Sequence, residues 1–141
     1  MTSHEVDMVA LWEHLLRFQR SSVAEMNRTL VESFGHSLDE YDVLHQLAGA
    51  EEPLRMGDLA ERLLVANSSC TRLVQRLVES GHAQRSPGPH DRREVRVELT
   101  AEGRRLHRRL AARHTRDIHR LMQPMVDELR ALVAPSESVS R

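Results

Sequence analysis

Lysine is absent from this 141-residue chain, and all 20 of its Lys+Arg positions are arginine. That removes Schiff-base lysines, the phosphate-loop lysine and the Ser-x-x-Lys nucleophile pair. Cysteine occurs once, at Cys70, which excludes a disulfide framework, Cys-x-x-Cys redox chemistry and a multi-thiolate zinc site within one chain. Long hydrophobic runs are missing too. The longest is Met8–Trp12, far short of a membrane span, and the acidic opening Met1–Asp7 lacks the basic start of a signal peptide. A soluble, cytoplasmic chain with no membrane partner is expected. There is no Gly-rich phosphate loop, no His-Glu-x-x-His and no nucleophile elbow. No catalytic residue and no cofactor is assigned. Ser68, Ser69 and Asp91 can be drawn with a histidine as a triad, but each has a simpler role.

The aromatic residues are only Trp12, Phe18, Phe34 and Tyr41, all in the first third of the chain. The charge is lopsided in the opposite sense. The formal net charge is −1, yet residues 1–52 hold three arginines against ten acids and residues 53–120 hold fifteen arginines against eight acids. A basic segment beside an acidic one points to a local anionic partner, or to pairing of the two halves. A basic surface without aromatics cannot stack bases. That argues against single-strand binding and leaves phosphate contacts and groove readout on a duplex.

Apolar residues from about Glu5 to Phe34 recur at helical spacing: Met8, Leu11, Leu15, Phe18, Met26, Leu30, with a second row through Val9, Trp12, Leu16 and Val23. Such a helix is about 45 Å long, too long for one small domain to bury, so part of its stripe is expected to meet another chain. Ser37-Leu-Asp-Glu40 reads as a capping box opening a helix that Gly49 stops. Leu54–Met56 reads as a brief strand and Gly57–Leu63 as a two-turn helix. Asn67, Ser68 and Ser69 are good capping residues for a helix running to about Ser80. Val95, Val97 and Leu99 then alternate with Arg96 and Glu98, the mark of a strand with one buried face. His82–Arg85 is its expected partner, across a turn-rich loop Ser86–Arg92. Thr100 caps a long helix to about Met122. Pro124 is expected to break it before a last helix over Met125–Val133. Residues 135–141 read as a flexible tail.

Two short helices, a tight turn, a polar-faced helix and a basic hairpin form a helix-turn-helix with a wing. The fold class expected is mainly α, with about six helices and a two- or three-stranded β-wing. The candidate recognition helix presents Ser68, Thr71, Arg72, Gln75 and Arg76, with Asn67 and Ser69 at its start. Arginine can bond guanine in the major groove through two hydrogen bonds, and glutamine can bond adenine. Arg85, Asp91, Arg92 and Arg93 complete the candidate DNA-binding set from the hairpin.

At this point the residues resemble a known family. Asp91-Arg-Arg-Glu-Val-Arg-Val-Glu-Leu-Thr100, followed by Ala-Glu-Gly103, is similar to the wing signature of MarR-type regulators. Met56–Leu63 and Thr71–Gly81 match in register. The resemblance implies a single domain over residues 1–141, with a winged DNA-binding part at 37–100 and dimerisation helices at 5–34 and 101–134. It implies a homodimer that represses a palindromic site in double-stranded DNA and is released by a small, often aromatic, molecule. It places Arg93 in a minor groove, held by Asp91, with Arg92 on phosphate. Trp12, Tyr41 and His45 lie in the helices that would border the ligand.

Other readings are weaker. Cys70 falls on the inward face beside Leu73 and Val74, which suits an inert core residue better than a reactive thiol. Nine histidines invite a metal reading, but no two are three or four residues apart. Surface histidines are therefore expected and no metal ligand is assigned; a site assembled across helices or between subunits stays open. A winged-helix module that binds proteins is the remaining alternative. It would more often carry apolar anchors where this chain carries arginines.

Overall fold

The computed structural model describes residues 6–133. Helix α1 (Met8–Phe34) opens on Asp7, whose carboxylate accepts the N–H groups of Val9 and Ala10, each at 3.1 Å. It ends at Gly35, left-handed at φ 72°, whose N–H reaches the Val31 carbonyl. The side chain of Asn27 then accepts the N–H of Leu38 at 2.9 Å and fixes the start of α2 (Leu38–Gly49). There follow β1 (Leu54–Arg55), α3 (Met56–Leu63), α4 (Asn67–Glu79), β2 (Ala83–Pro87), β3 (Val95–Leu99) and α5 (Ala101–Val133).

The three strands form one antiparallel sheet in the order β1-β3-β2, with Arg85 opposite Val97 and Arg55 opposite Arg96. One core joins every element. Val43, Leu44 and Leu47 of α2 pack with Leu59 and Ala60 of α3, Cys70, Val74 and Leu77 of α4, Val97 and Leu99 of β3, and Leu106 and Leu110 of α5. Each fully buried leucine contributes about 2 kcal/mol of transfer free energy, enough to hold a two-stranded wing that could not stand alone. Thr100 caps α5 as expected: its Oγ1 accepts the N–H of Gly103 at 3.0 Å and donates to the Gly81 carbonyl at 2.6 Å.

Several expectations need correction. Among the described residues there are five helices rather than about six, because α5 runs unbroken through Pro124. A proline removes one backbone bond from a helix. Here Leu121 and Met125 on either side line a common groove with Phe18 and Ser22 of α1, and this packing keeps both halves in line. Strand β2 extends through Ser86 and Pro87, where the sequence predicts the start of the loop. Val95 is exposed rather than buried, since it pairs with Pro87 at the turn end of the hairpin, beyond the core. The histidines are not all at the surface: His14, His36, His82, His107 and His114 are half-buried. The tail assigned to residues 135–141 lies outside the described residues. No helix among those described is long and apolar enough to cross a membrane.

Candidate nucleic-acid interface

Helices α3 and α4 are joined by a turn that rests on a left-handed leucine. Leu64 sits at φ 56°, its N–H bonds the Glu61 carbonyl, and the N–H of Val65 reaches back to Ala60. This reversal ends α3 and lets α4 begin three residues later, at Asn67. Ala66, extended, takes the N-cap position, and no side chain caps the helix. Asn67, Ser68 and Ser69 are thus first-turn residues rather than caps, because the turn decides which residue stays extended. An uncapped helix start presents N–H groups and a partial positive charge to an anion.

The outer face of α4 carries Ser68, Thr71, Arg72, Gln75 and Arg76, all exposed. Thr71 Oγ1 donates back to the Asn67 carbonyl at 2.9 Å, and Gln75 Nε2 donates to Glu79 at 2.8 Å. Arg76 lies 3.7 Å from the buried carboxylate of Glu40, which His36 Nδ1 also contacts at 2.6 Å. Glu40 was expected to complete the capping box by bonding back to Ser37. Only half of that box forms: Ser37 Oγ accepts the Glu40 N–H at 3.1 Å, while the carboxylate turns to His36 and Arg76. The i,i+4 spacing of His36 and Glu40 was the available signal for this anchor.

The wing tip is held by its own backbone. The Gly88 N–H donates to the Glu94 carbonyl, and the Glu94 N–H donates to that of Asp91. Asp91 Oδ1 accepts the backbone N–H of Arg93 at 2.9 Å. Asp91 therefore grips the peptide of Arg93, where the resemblance implied a hold on the arginine itself. Arg92 and Arg93 are exposed on this tip, and Arg85 is exposed on β2 further back. Beneath the tip, Glu94 meets Arg55 of β1 at 2.5 Å and Arg96 at 3.4 Å, tying the wing to the sheet.

The three residues grouped as ligand contacts do not come together. Tyr41 and His45 of α2 stack at 5.6 Å between ring centroids. Trp12 is exposed on α1, fifteen residues before Asn27, the point where α1 meets α2. That separation is about 22 Å of helix rise. In its place the structure brings His107 and His114 of α5 against Tyr41. Cys70 is buried, with its sulfur 3.9 Å from the Met56 carbonyl, and burial raises its thiol pKa. It is a core residue, packed with Val74 and Leu77.

Comparison with known proteins gives a consistent picture. The MarR family model matches residues 34–94. The HTH-type transcriptional regulator PecS of Dickeya dadantii is 32% identical over 107 residues, which are 72% of this chain and 64% of PecS. The chain thus spans just under two thirds of that relative. The PcaV regulator of Streptomyces coelicolor is 30% identical, with a TM-score of 0.71 over 85% of this chain and 87% of PcaV. It has also been solved in complex with its natural ligand, where the identity is 28%. Sco3205 of Streptomyces coelicolor, a MarR family regulator solved in complex with DNA, is 25% identical, with a TM-score of 0.75 over 92% of this chain and 89% of that one.

Proposed function

The chain belongs to the MarR family of transcriptional regulators, and from that premise we propose a homodimeric repressor. It binds a palindromic operator in double-stranded DNA and is released by a small aromatic ligand. The observation that carries the DNA reading is the pairing of a polar, arginine-bearing α4 face with a stiff hairpin tip bearing Arg92 and Arg93. Arg72, Gln75 and Arg76 read or flank the major groove, with Asn67, Ser68, Ser69 and Thr71 on the adjoining phosphates. Arg93 enters the minor groove, Arg92 contacts phosphate, and Arg85 lies near the backbone. Sco3205, solved with DNA, supports this use of the fold.

Residues 5–34 and 101–134 form the dimer arm, and residues 37–100 the DNA-binding part. Met8, Val9 and Trp12 are 69%, 68% and 66% exposed at the N-terminal end of α1. Contiguous apolar side chains left in water to that degree call for a covering surface, and a second α1–α5 arm supplies one. The effector reading rests on Tyr41 and His45 at the junction of the two parts, and on PcaV, solved with its natural ligand.

Two measurements test this. Fluorescence anisotropy with duplexes selected from genomic fragments should yield a site with two-fold symmetry. Sedimentation at micromolar concentration should return twice the chain's mass. A clean monomer, or equal affinity for every duplex at moderate salt, would sink the reading.

A further inference from the structure

Helices α2 and α5 meet across a joint built of rings. Tyr41, 6% exposed, stacks on His45 with planes 24° apart and on His107 with planes 10° apart. His114 leans on the same tyrosine at 4.7 Å. His45 Nδ1 and His107 Nε2 lie 3.2 Å from each other, across 62 residues of sequence. Among the described residues no three His, Cys, Asp or Glu side chains are arranged to hold a metal, so the contact stands as a bond between two imidazoles.

Proton counting decides what that bond can do. While both rings are neutral, one nitrogen donates its hydrogen to the other's lone pair. One added proton leaves a donor and an acceptor and makes the bond charge-assisted. A second added proton leaves two N–H groups facing each other, with two like charges and no acceptor. Two N–H groups cannot face each other at the observed spacing, so the doubly protonated pair is incompatible with this contact. We propose that the His45–His107 contact is a proton-operated latch between α2 and α5, closed near neutral pH and opened by acidification.

The surroundings favour the closed state. Burial, then His45 and Arg108, hold His107 below the ordinary imidazole pKa. Burial also lowers His114, against the opposing pull of Asp117. On the α2 side Asp42 lies beside His45 and Tyr41, its own pKa raised by desolvation and by Asp39 against the opposing pull of His45. The latch sits where a small change has a long lever. Helix α2 shares a core with α3 and α4 that the first turns of α5 also enter through Leu106 and Leu110, and α5 then runs back along α1. Opening the joint frees the recognition helix relative to the arm, and ordering it again costs free energy on binding. Acidification should therefore weaken operator binding.

The consequence for DNA rests on the proposed function; the latch itself does not, and the experiment separates them. Operator affinity of the full-length chain is measured at constant ionic strength from about pH 7.5 to about pH 5.5, a range that spans imidazole titration. The wild type should lose roughly tenfold. H107Q, which keeps a polar partner for His45 without a second titratable ring, should change less than about twofold. H45N serves as the second variant should H107Q fold poorly. In parallel, without DNA, backbone amide resonances of α2 and the facing turns of α5 are followed by NMR over the same range. They should shift together in the wild type and stay still in the variant. Wild-type affinity that rises on acidification, or variants with the wild-type pH dependence, would overturn the link to DNA. Amide shifts that are unchanged in the wild type, or equal in the variant, would overturn the latch.

Discussion

Gly103 sits with its α-carbon against the carbonyl group of His82, so closely that a Cβ at position 103 would overlap that backbone oxygen. The same carbonyl accepts the N–H of Thr100 at 3.1 Å, so it cannot swing away without breaking the junction of α5 with the wing. Backbone against backbone has no rotamer escape. Gly103→Ala should therefore destabilise the chain by about 2–3 kcal/mol, even though alanine is the better helix former. Urea unfolding would show it as a lower midpoint at unchanged slope. An unaltered or raised midpoint would mean that α5 can slide off His82 at little cost.

Leu64 makes the converse case. It is non-glycine at positive φ and 91% exposed, so its side chain buries nothing in return for left-handed strain. Leu64→Gly relieves that strain, at the expense of a more flexible unfolded chain. A net gain of about 0.5–1 kcal/mol is expected, read as a higher melting temperature. A loss would show that Leu64 is covered in solution, for which dimer mass and DNA affinity of the variant should then be compared.

The half-buried histidines give stability a pH dependence with a definite sign. His82, His107 and His114 are all held below their ordinary value of 6.5, burial being the largest cause in each case. Their unfolded forms bind protons first as the pH falls, so the native state loses stability as pH drops through 6.5 and keeps it above. Thermal unfolding without DNA should thus show a falling midpoint between neutral pH and the range where carboxylates begin to titrate. His114 also carries a buried Nδ1 without a partner. His114→Phe keeps a ring on Tyr41, removes that nitrogen and should flatten the curve while raising its neutral value. A steeper curve in the variant would contradict the burial argument.

How much of this was legible in the sequence depended on how local the cause was. The period of Met8 to Leu30 foretold α1, because Asp7 and Gly35 punctuate it within one turn. The alternation Val95, Val97, Leu99 foretold β3, although only the last two reach the core. Ser and Asn at residues 67–69 misled, since capping preference is a property of residue type whereas the cap itself was set by the reversal at Leu64. Pro124 misled for a similar reason: local propensity predicts a break, and packing against α1 overrides it. The His45–His107 bond had no local signal at all. It depends on how α2 crosses α5, and residues 62 positions apart leave no spacing to read.

The wing offers the sharpest test of the DNA-binding assignment. Arg92→Ala should weaken binding to all duplexes alike and lower the salt slope by about one unit. Arg93→Ala should cost most on sites with A·T-rich flanks, where the narrow groove's potential is deepest. Asp91 then separates two physical accounts. Its carboxylate lies on an exposed tip beside the proposed phosphate contacts, yet its Oδ1 holds the Arg93 N–H at 2.9 Å. If charge repulsion dominates, removing Asp91 in any way should tighten binding. If the tip's shape dominates, Asp91→Ala should loosen the peptide of Arg93 and weaken binding by about threefold to tenfold, while Asp91→Asn keeps an acceptor oxygen, sheds the charge and should bind at least as well as the wild type. Opposite signs for the two substitutions, measured by anisotropy on one operator at fixed salt, are the expected outcome. Tighter binding by both would show that Asp91 acts only as a misplaced charge and that the wing tip is not organised by it.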